Sequence, residues 1–436
     1  MNVILLSGGS GKRLWPLSND IRSKQFLKLF INDAGERESM VQRVYKQILA
    51  TDPDATVTVA TSKSQVSALH NQLGDGVDIS VEPCRRDTFP AIALATAFLH
   101  DVQGVGDNET VVVCPVDPNV DNSYFRALDR LGKLAAEGVA ELVLMGINPT
   151  YPSEKYGYIL PVTKDEVSKV SEFKEKPNVV TAQSYIDAGG LWNSGVFAYK
   201  LGYVLDRAHE LIDFVDYNDL FAKYEGLEKI SFDYAVVEHE KDIAVLRFAG
   251  EWKDLGTWNT LTESMETAAI GDVRFDDACE NVHVVNELGV PVVAMGVSDV
   301  VIAASPEGVL VANKEQSSYL KSIVDEIHQE VMFAEKSWGS YEVLDVEEKG
   351  LTVKVTLNPG HCMNYHSHSR RDEVWVVVSG HGRAVVDGEM RQIGPGDVVC
   401  MPKGCKHTVM AETELLLIEV QFGKGITVKD KQKHEL

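Results

Sequence analysis

Long apolar runs are missing from this 436-residue sequence: none approaches the roughly 20 residues that a helix needs to cross a bilayer, so no helical membrane span is expected. Cysteine is sparse and scattered. The six residues, Cys84, Cys114, Cys279, Cys362, Cys400 and Cys405, form no Cys-x-x-Cys pair and no dense framework, which argues against a disulfide-stapled secreted domain and makes a reducing cytoplasm the expected location. A basic leader is lacking too; residues 1–7 are apolar but run straight into glycines, the mark of a first strand rather than a signal peptide. Positive charge falls short, with 42 Lys and Arg against 65 Asp and Glu, leaving −23 and a pI near 4.9. A general attraction to nucleic acid or anionic lipid is thereby disfavoured, and any bound phosphate has to be held by local groups. The expected partners are therefore small phosphorylated ligands accompanied by a cation, with no nucleic acid and no membrane. The oligomeric state stays open, a homo-oligomer included.

What is present is enough apolar material, 44% of the chain, for packed cores, and a length that exceeds what one core usually organises. The first part alternates β-rich runs (residues 3–6, 56–60, 111–114 and 142–146) with stretches of helical spacing (40–49 and 91–100), the pattern of a Rossmann-like, doubly wound α/β sheet. Functional loops are expected at the C-terminal ends of such strands. From about Asp272 the texture changes to short valine-rich runs (282–285, 292–295, 300–303 and 309–311) parted by Gly, Pro, Asn and Ser, which read as a small β domain or short β-solenoid. Residues 317–334 then read as a connecting helix. Beyond Trp338 an all-β pattern follows, with strands at 351–357, 374–378, 382–386, 397–401 and 415–420 and turns at Asn358-Pro359-Gly360 and Gly394-Pro395-Gly396, as in a small antiparallel barrel or jelly roll. The expected domains are residues 1–265, a β-rich connector and linker helix at 266–334, and a barrel at 335–436.

The first strand opens into Ser7-Gly8-Gly9-Ser10-Gly11-Lys12-Arg13-Leu14-Trp15-Pro16-Leu17. Gly8, Gly9 and Gly11 leave backbone N–H groups open to a polyphosphate, and Arg13 can add a charge-assisted fork. The spacing is neither that of a P-loop nor that of a dinucleotide-binding turn, and an isolated glycine cluster is more often a tight turn. Its companions decide the matter. With Ser23-Lys24-Gln25-Phe26-Leu27 following, the run resembles the signature of the mannose-1-phosphate guanylyltransferase family of nucleotidyltransferases, which implies that Arg13 and Lys24 hold triphosphate.

Further segments extend the resemblance over nearly all of residues 1–262. Glu82-Pro83-Cys84-Arg85-Arg86-Asp87-Thr88 resembles the nucleotide-base loop, implying nucleotide-binding roles for Glu82, Asp87 and Thr88, with Asp87 where asparagine is usual. Asp117, just after a buried strand, and Asp254, in Trp252-Lys253-Asp254-Leu255-Gly256, resemble the family's two metal-binding motifs, with Pro118 where histidine is usual. Either aspartate alone is more often a cap or turn residue, but magnesium is commonly held by one or two carboxylates plus phosphate, so together they are expected to hold Mg²⁺ and to act with Arg13 and Lys24 in catalysis. Tyr156-Gly157-Tyr158, Phe173-Lys174-Glu175-Lys176-Pro177 and Trp192-Asn193-Ser194-Gly195 resemble the sugar-phosphate pocket. There Lys176 suits a phosphate, and Glu175 and Asn193 suit hydroxyls beside Gly157.

In the C-terminal part, His366 and His368 alternate by two on an expected strand and so share a face; Glu373 and His407 complete a set of three imidazoles and a carboxylate suited to a divalent transition metal. Together with Gly360, Gly380, Gly396, Pro402 and Gly404, these residues resemble the two motifs of a cupin. Bifunctional members of the guanylyltransferase family carry such a barrel as a mannose-6-phosphate isomerase. Here Ser369, Arg370 and Val374 interrupt the first motif, Ala411 stands where asparagine is frequent, and no arginine follows Gly423, so isomerisation is expected to be weak or absent. The fold class is therefore α/β: a Rossmann-like nucleotidyltransferase domain, a short β-rich connector and a C-terminal all-β cupin barrel. The expected reaction joins GTP and mannose 1-phosphate to give GDP-mannose and pyrophosphate. A different NTP or sugar 1-phosphate, an isomerase in the barrel, and a barrel that binds sugar without chemistry remain alternatives.

Overall fold

Val3, Ile4 and Leu5 have no exposed surface, as expected of a short apolar run that forms a middle strand covered on both faces. The structure, a computed structural model, describes residues 1–9, 12–19, 21–426 and 430–435. Of the residues singled out above, Gly11 lies outside this set. By packing, the chain divides into two units: Met1–Ser10 with Gln25–Glu266, and Gly11–Lys24 with Thr267–Leu436.

The first unit is built on nine strands: β1 (Asn2–Leu6), β2 (Thr56–Ser62), β3 (Asp78–Glu82), β4 (Thr110–Pro115), β5 (Leu142–Ile147), β6 (Tyr158–Pro161), β7 (Val167–Lys174), β8 (Leu191–Lys200) and β9 (Ile243–Phe248). They stand in the order β3-β2-β1-β4-β8-β5-β9-β7-β6. The first four are parallel, as a doubly wound sheet requires. The second half departs from that pattern, since β8 runs antiparallel to both β4 and β5. The antiparallel pair β6–β7 after β5 reverses the chain before β8 enters. Helix α1 (Met40–Thr51) starts at a Ser39–Gln42 capping box and buries Met40, Val41, Val44 and Ile48, one stripe at helical spacing. Helix Thr88–Asp101 is buried on nearly all sides, so its amphipathic signal is weak.

In the second unit the valine-rich runs form parallel rungs. Ala269–Ile270, His283–Asn286 and Val300–Ser305 stack side by side, as do Val273–Phe275 and Val292–Ala294, which is solenoid packing, and Gly308–Asn313 closes one sheet antiparallel. The expected helix at 317–334 forms only in part, as a turn at Gln316–Tyr319 and a short helix at Leu320–Val324. Residues 325–326 form a turn and residues 327–332 are irregular, and the Met332 and Phe333 N–H groups donate to the Glu307 carboxylate rather than to helical carbonyls. A strand begins at Phe333–Lys336. It edges a six-stranded sheet that faces a five-stranded one, with Trp375, Leu357, Val409, Leu415 and Leu417 fully buried in the barrel core. Among the described residues no helix is long and apolar enough to cross a membrane.

Candidate functional site

In the first unit the C-terminal ends of β1, β3 and β4 carry the glycine turn, Glu82 and Asp117, and a two-stranded ribbon adds Asp254. The ribbon pairs Pro118–Val120 with Trp252–Asp254 antiparallel, in the register Asp254↔Pro118. A residue adjacent in sequence to Asp117 is thus paired with Asp254, and two carboxylates 137 positions apart are set at one end of the ribbon. Tyr156 registers both: burial, then the Asp254 charge and, more weakly, the Asp117 charge hold its phenol well above the usual range.

A cleft of about 230 Å³ collects Thr88, Asp117, Gly157, Glu175, Asn193 and Asp254 from separate segments of the chain. Gly157 lies close against the cleft wall, since a Cβ there would lie 2.5 Å from Glu175 Oε2 and displace that carboxylate. Its carbonyl accepts the Asn193 N–H at 2.8 Å. Glu175 is buried and pairs with Lys176 Nζ at 2.6 Å, while Lys176 adopts a positive φ of 45°. Glu82 is buried, takes the Tyr224 hydroxyl at 2.7 Å, and is shifted upward by desolvation. Asp87 caps helix Thr88–Asp101 from a φ of 68° and a ψ of −172°, a strained backbone conformation outside the left-handed helical region. Its Oδ1 accepts the Thr88 N–H, and Thr88 Oγ1 accepts the Phe232 N–H. Gly8 and Gly9 are exposed, Gly9 at a φ of 128°. Arg13 and Lys24 lie on the segment that packs with the second unit, Arg13 exposed and Lys24 half-buried.

Sequence reasoning missed Asp233. It opens a π-helical turn, Asp233–Val237, and accepts Asn193 Nδ2 at 2.6 Å in the cleft. Burial, then the Glu175 charge, raises its carboxyl to about 7. The only signal was a lone carboxylate ahead of the buried Val236 and Val237; the extra residue of a π turn leaves no periodic trace.

In the barrel, His366, His368, Glu373 and His407 bring their ligand atoms within 4.8 Å of one another, all buried. His366 and His407 are register partners on adjacent strands. Their Nδ1 atoms face the Asn364 and Cys405 carbonyls at 2.6 and 3.0 Å, which fixes each ring with Nε2 turned to the cluster. Among the described residues, His407 Nε2 and Glu373 Oε2 are buried 3.0 Å apart with no other polar partner, and burial keeps His366 and His368 neutral, at about 3 and 4. Neutral imidazoles beside an ionised carboxylate fit a divalent metal. Arg371, also missed, reaches into this cluster and donates to Glu373 Oε1 at 2.7 Å. Glu419 and Gln421 share the inward face of their strand and are hydrogen-bonded to each other. Burial, then the Glu373 charge, raises Glu419 to about 8.

Comparison with known proteins gives two family models: Nucleotidyl transferase over residues 2–269 and Mannose-6-phosphate isomerase C-terminal over residues 321–435. The chain is 30% identical to Mannose-1-phosphate guanylyltransferase of Escherichia coli (strain K12), over 98% of this chain and 96% of that protein. It is 30% identical to Xanthan biosynthesis protein XanB of Xanthomonas campestris pv. campestris (strain B100), over 99% and 97%. Among solved structures, mannose-1-phosphate geranyltransferase from Thermus thermophilus is similar with a TM-score of 0.62 and 28% identity, over 74% of this chain and 98% of that one.

The Asp233 carboxyl supplies a test of the cleft's electrostatics. Its folded value, raised from 3.8 to about 7, means that the stability it contributes is fully present below pH 3.8 and is lost as the pH rises through 7. Asp233→Asn keeps an oxygen for Asn193 and is expected to unfold at higher denaturant than wild type at pH 8, with the difference vanishing near pH 4. Equal midpoints at both pH values would show that Asp233 is not held in this way.

Proposed function

Because the chain belongs to the mannose-1-phosphate guanylyltransferase family, we propose that it transfers a guanylyl group from GTP to mannose 1-phosphate, giving GDP-mannose and pyrophosphate. The observation that carries this reading is the cleft, in which Thr88, Asp117, Gly157, Glu175, Asn193 and Asp254 line one space sized for a sugar phosphate. A phosphate oxygen of mannose 1-phosphate attacks the α-phosphorus in line, and the β-phosphate oxygen leaves with its electron pair as pyrophosphate. No covalent nucleophile is needed, so positioning and charge neutralisation supply the rate.

Arg13 and Lys24 hold the triphosphate, helped by the backbone N–H groups of Gly8 and Gly9, while Glu82, Asp87 and Thr88 form the base loop. Asp117 and Asp254 fit a magnesium ion, an oxygen-seeking cation that would neutralise charge on the phosphates. Lys176 takes the phosphate of the sugar. Glu175 accepts from the hexose hydroxyls, and Asn193 is held for the same task by Asp233. Reaction with CTP or dTTP, or with another sugar phosphate, is the competing reading within the same chemistry.

Pyrophosphate release with Mg²⁺ and each NTP against a panel of sugar 1-phosphates is expected to be fastest with GTP and mannose 1-phosphate; faster release with CTP or dTTP would overturn the guanylyl assignment. In the same assay Arg13→Ala and Asp254→Asn are each expected to lower kcat/KM about a hundredfold or more while the protein stays folded. Near-normal rates in either would remove that residue from the mechanism.

For the barrel the supported reading is a divalent-metal site with weak or absent aldose–ketose isomerisation. Arg371 Nε already donates to Glu373 Oε1, so that oxygen is engaged within the cluster. Elemental analysis is expected to find one divalent metal ion per barrel in wild type and none in the His368→Ala, His407→Ala variant. Fructose 6-phosphate supplied without nucleotide is expected to give little mannose 6-phosphate. Conversion as fast as nucleotidyl transfer, abolished by His368→Ala, would replace this reading by an isomerase.

A further inference from the structure

The phosphate-loop segment leaves the first unit after Ser10 and returns at Gln25, whose Nε2 donates to the Ser7 carbonyl at 2.6 Å. Between those points it is fastened to the second unit by contacts of several kinds. Ser305 Oγ donates to the Pro16 carbonyl at 2.6 Å, and Gly308, at a φ of 146°, leaves room for the Trp15 ring, which a Cβ would meet at 2.7 Å. Lys12 pairs with Asp325, and Arg22 makes a two-pronged pair with Glu287 at 2.6 and 2.9 Å. The Arg22 guanidinium also lies 5.1 Å above the Phe333 ring.

One buried carboxylate ties these threads together. Glu307, 7% exposed, sits in the turn between the last two connector strands, Val300–Ser305 and Gly308–Asn313. Its Oε1 accepts Asn19 Nδ2 from the loop at 2.8 Å and the Met332 and Phe333 N–H groups at 2.9 and 3.1 Å, and its Oε2 faces Gln329 Nε2 at 3.4 Å. Asn19 Nδ2 donates in addition to the Phe333 carbonyl at 3.0 Å. Phe333 opens the first strand of the barrel. A surface loop that only joined β1 to the rest of its sheet would have no use for a buried anion that takes donors from the loop and from residues 329–333 at once. Removing one donor from such an anion leaves a buried charge short of partners, so the arrangement resists displacement of the loop.

We propose that Glu307 is a positioning residue for nucleotidyl transfer: it anchors the segment carrying Arg13 and Lys24 to the start of the cupin barrel, and so fixes the loop that receives the nucleoside triphosphate. The inference rests on the reading of Arg13 and Lys24 as triphosphate ligands.

Asn19 allows the tether to be cut without unmaking the turn. Its Oδ1 accepts the Ile21 and Arg22 N–H groups at 2.8 and 2.7 Å, a role that aspartate keeps, whereas Asn19→Asp replaces the Nδ2 donor by an oxygen facing Glu307. In the full chain, Asn19→Asp and Glu307→Gln are each expected to raise the KM for GTP about tenfold and to leave the KM for mannose 1-phosphate unchanged. Arg13→Ala serves as the reference. If it raises the GTP KM while both tether variants match wild type, the role of Glu307 is refuted and the reading of the loop stands. If Arg13→Ala also leaves the GTP KM unchanged, the reading itself fails and the inference with it. Should a variant not fold, hydrogen exchange on wild type decides: amides of residues 12–24 should exchange as slowly as those of Gly308–Asn313, and rapid exchange there would overturn the tether.

Discussion

Repulsion between carboxylates governs the first unit. Among the described residues Asp117, Glu175, Asp233 and Asp254 line one cleft of a chain whose net charge is already −23. Placing that many acids together costs free energy unless cations arrive or protons stay on, and both remedies are visible. Lys176 pairs with Glu175, and Asp233 retains its proton to about pH 7. Asp117 and Asp254 are what a divalent cation would neutralise, and a phosphate ligand would bring such a cation with it. On the proposed reading, the acidity that disfavours nucleic acid favours phosphates that arrive with a metal ion.

The backbone makes this grouping possible. Parallel strands deliver Glu82 and Asp117 to one edge of the sheet, and the reversal at β8 brings Asn193 to the same cleft from the opposite direction. The short ribbon then adds Asp254 opposite Pro118. Pro118 stands at the start of its short edge strand, where a residue without an N–H is tolerated. In the barrel the same principle acts with opposite charge balance: the neutral imidazoles of His366 and His368 lie beside an ionised Glu373, to which Arg371 donates.

Much of this was legible beforehand, because it depends on local pattern. Short β-rich runs between helical stretches gave the strands of the parallel half-sheet, and residues in tight motifs, such as Asp117 after a buried strand or His366 and His368 two apart, fell where their spacing put them. What was not legible depends on distant partners. The helix expected at 317–334 ends at Val324, and the N–H groups of Met332 and Phe333 go to a distant carboxylate, Glu307, which no periodicity within that segment could report. Asp233 was hidden by a π turn and Arg371 by its place beside the more conspicuous Arg370. The alternation of Leu415, Leu417, Glu419 and Gln421 on one face did carry a usable signal, polar groups at core positions of a strand.

The central claim is that the acidic cleft of the first unit is built to hold a divalent cation with the nucleotide. It is tested most directly by electron paramagnetic resonance of Mn²⁺ added with GTP to protein carrying His368→Ala and His407→Ala, so that the barrel takes up none. The account predicts a bound Mn²⁺ signal that depends on GTP and is lost when Asp117→Asn or Asp254→Asn is introduced. The same bound fraction with both aspartates replaced would contradict it.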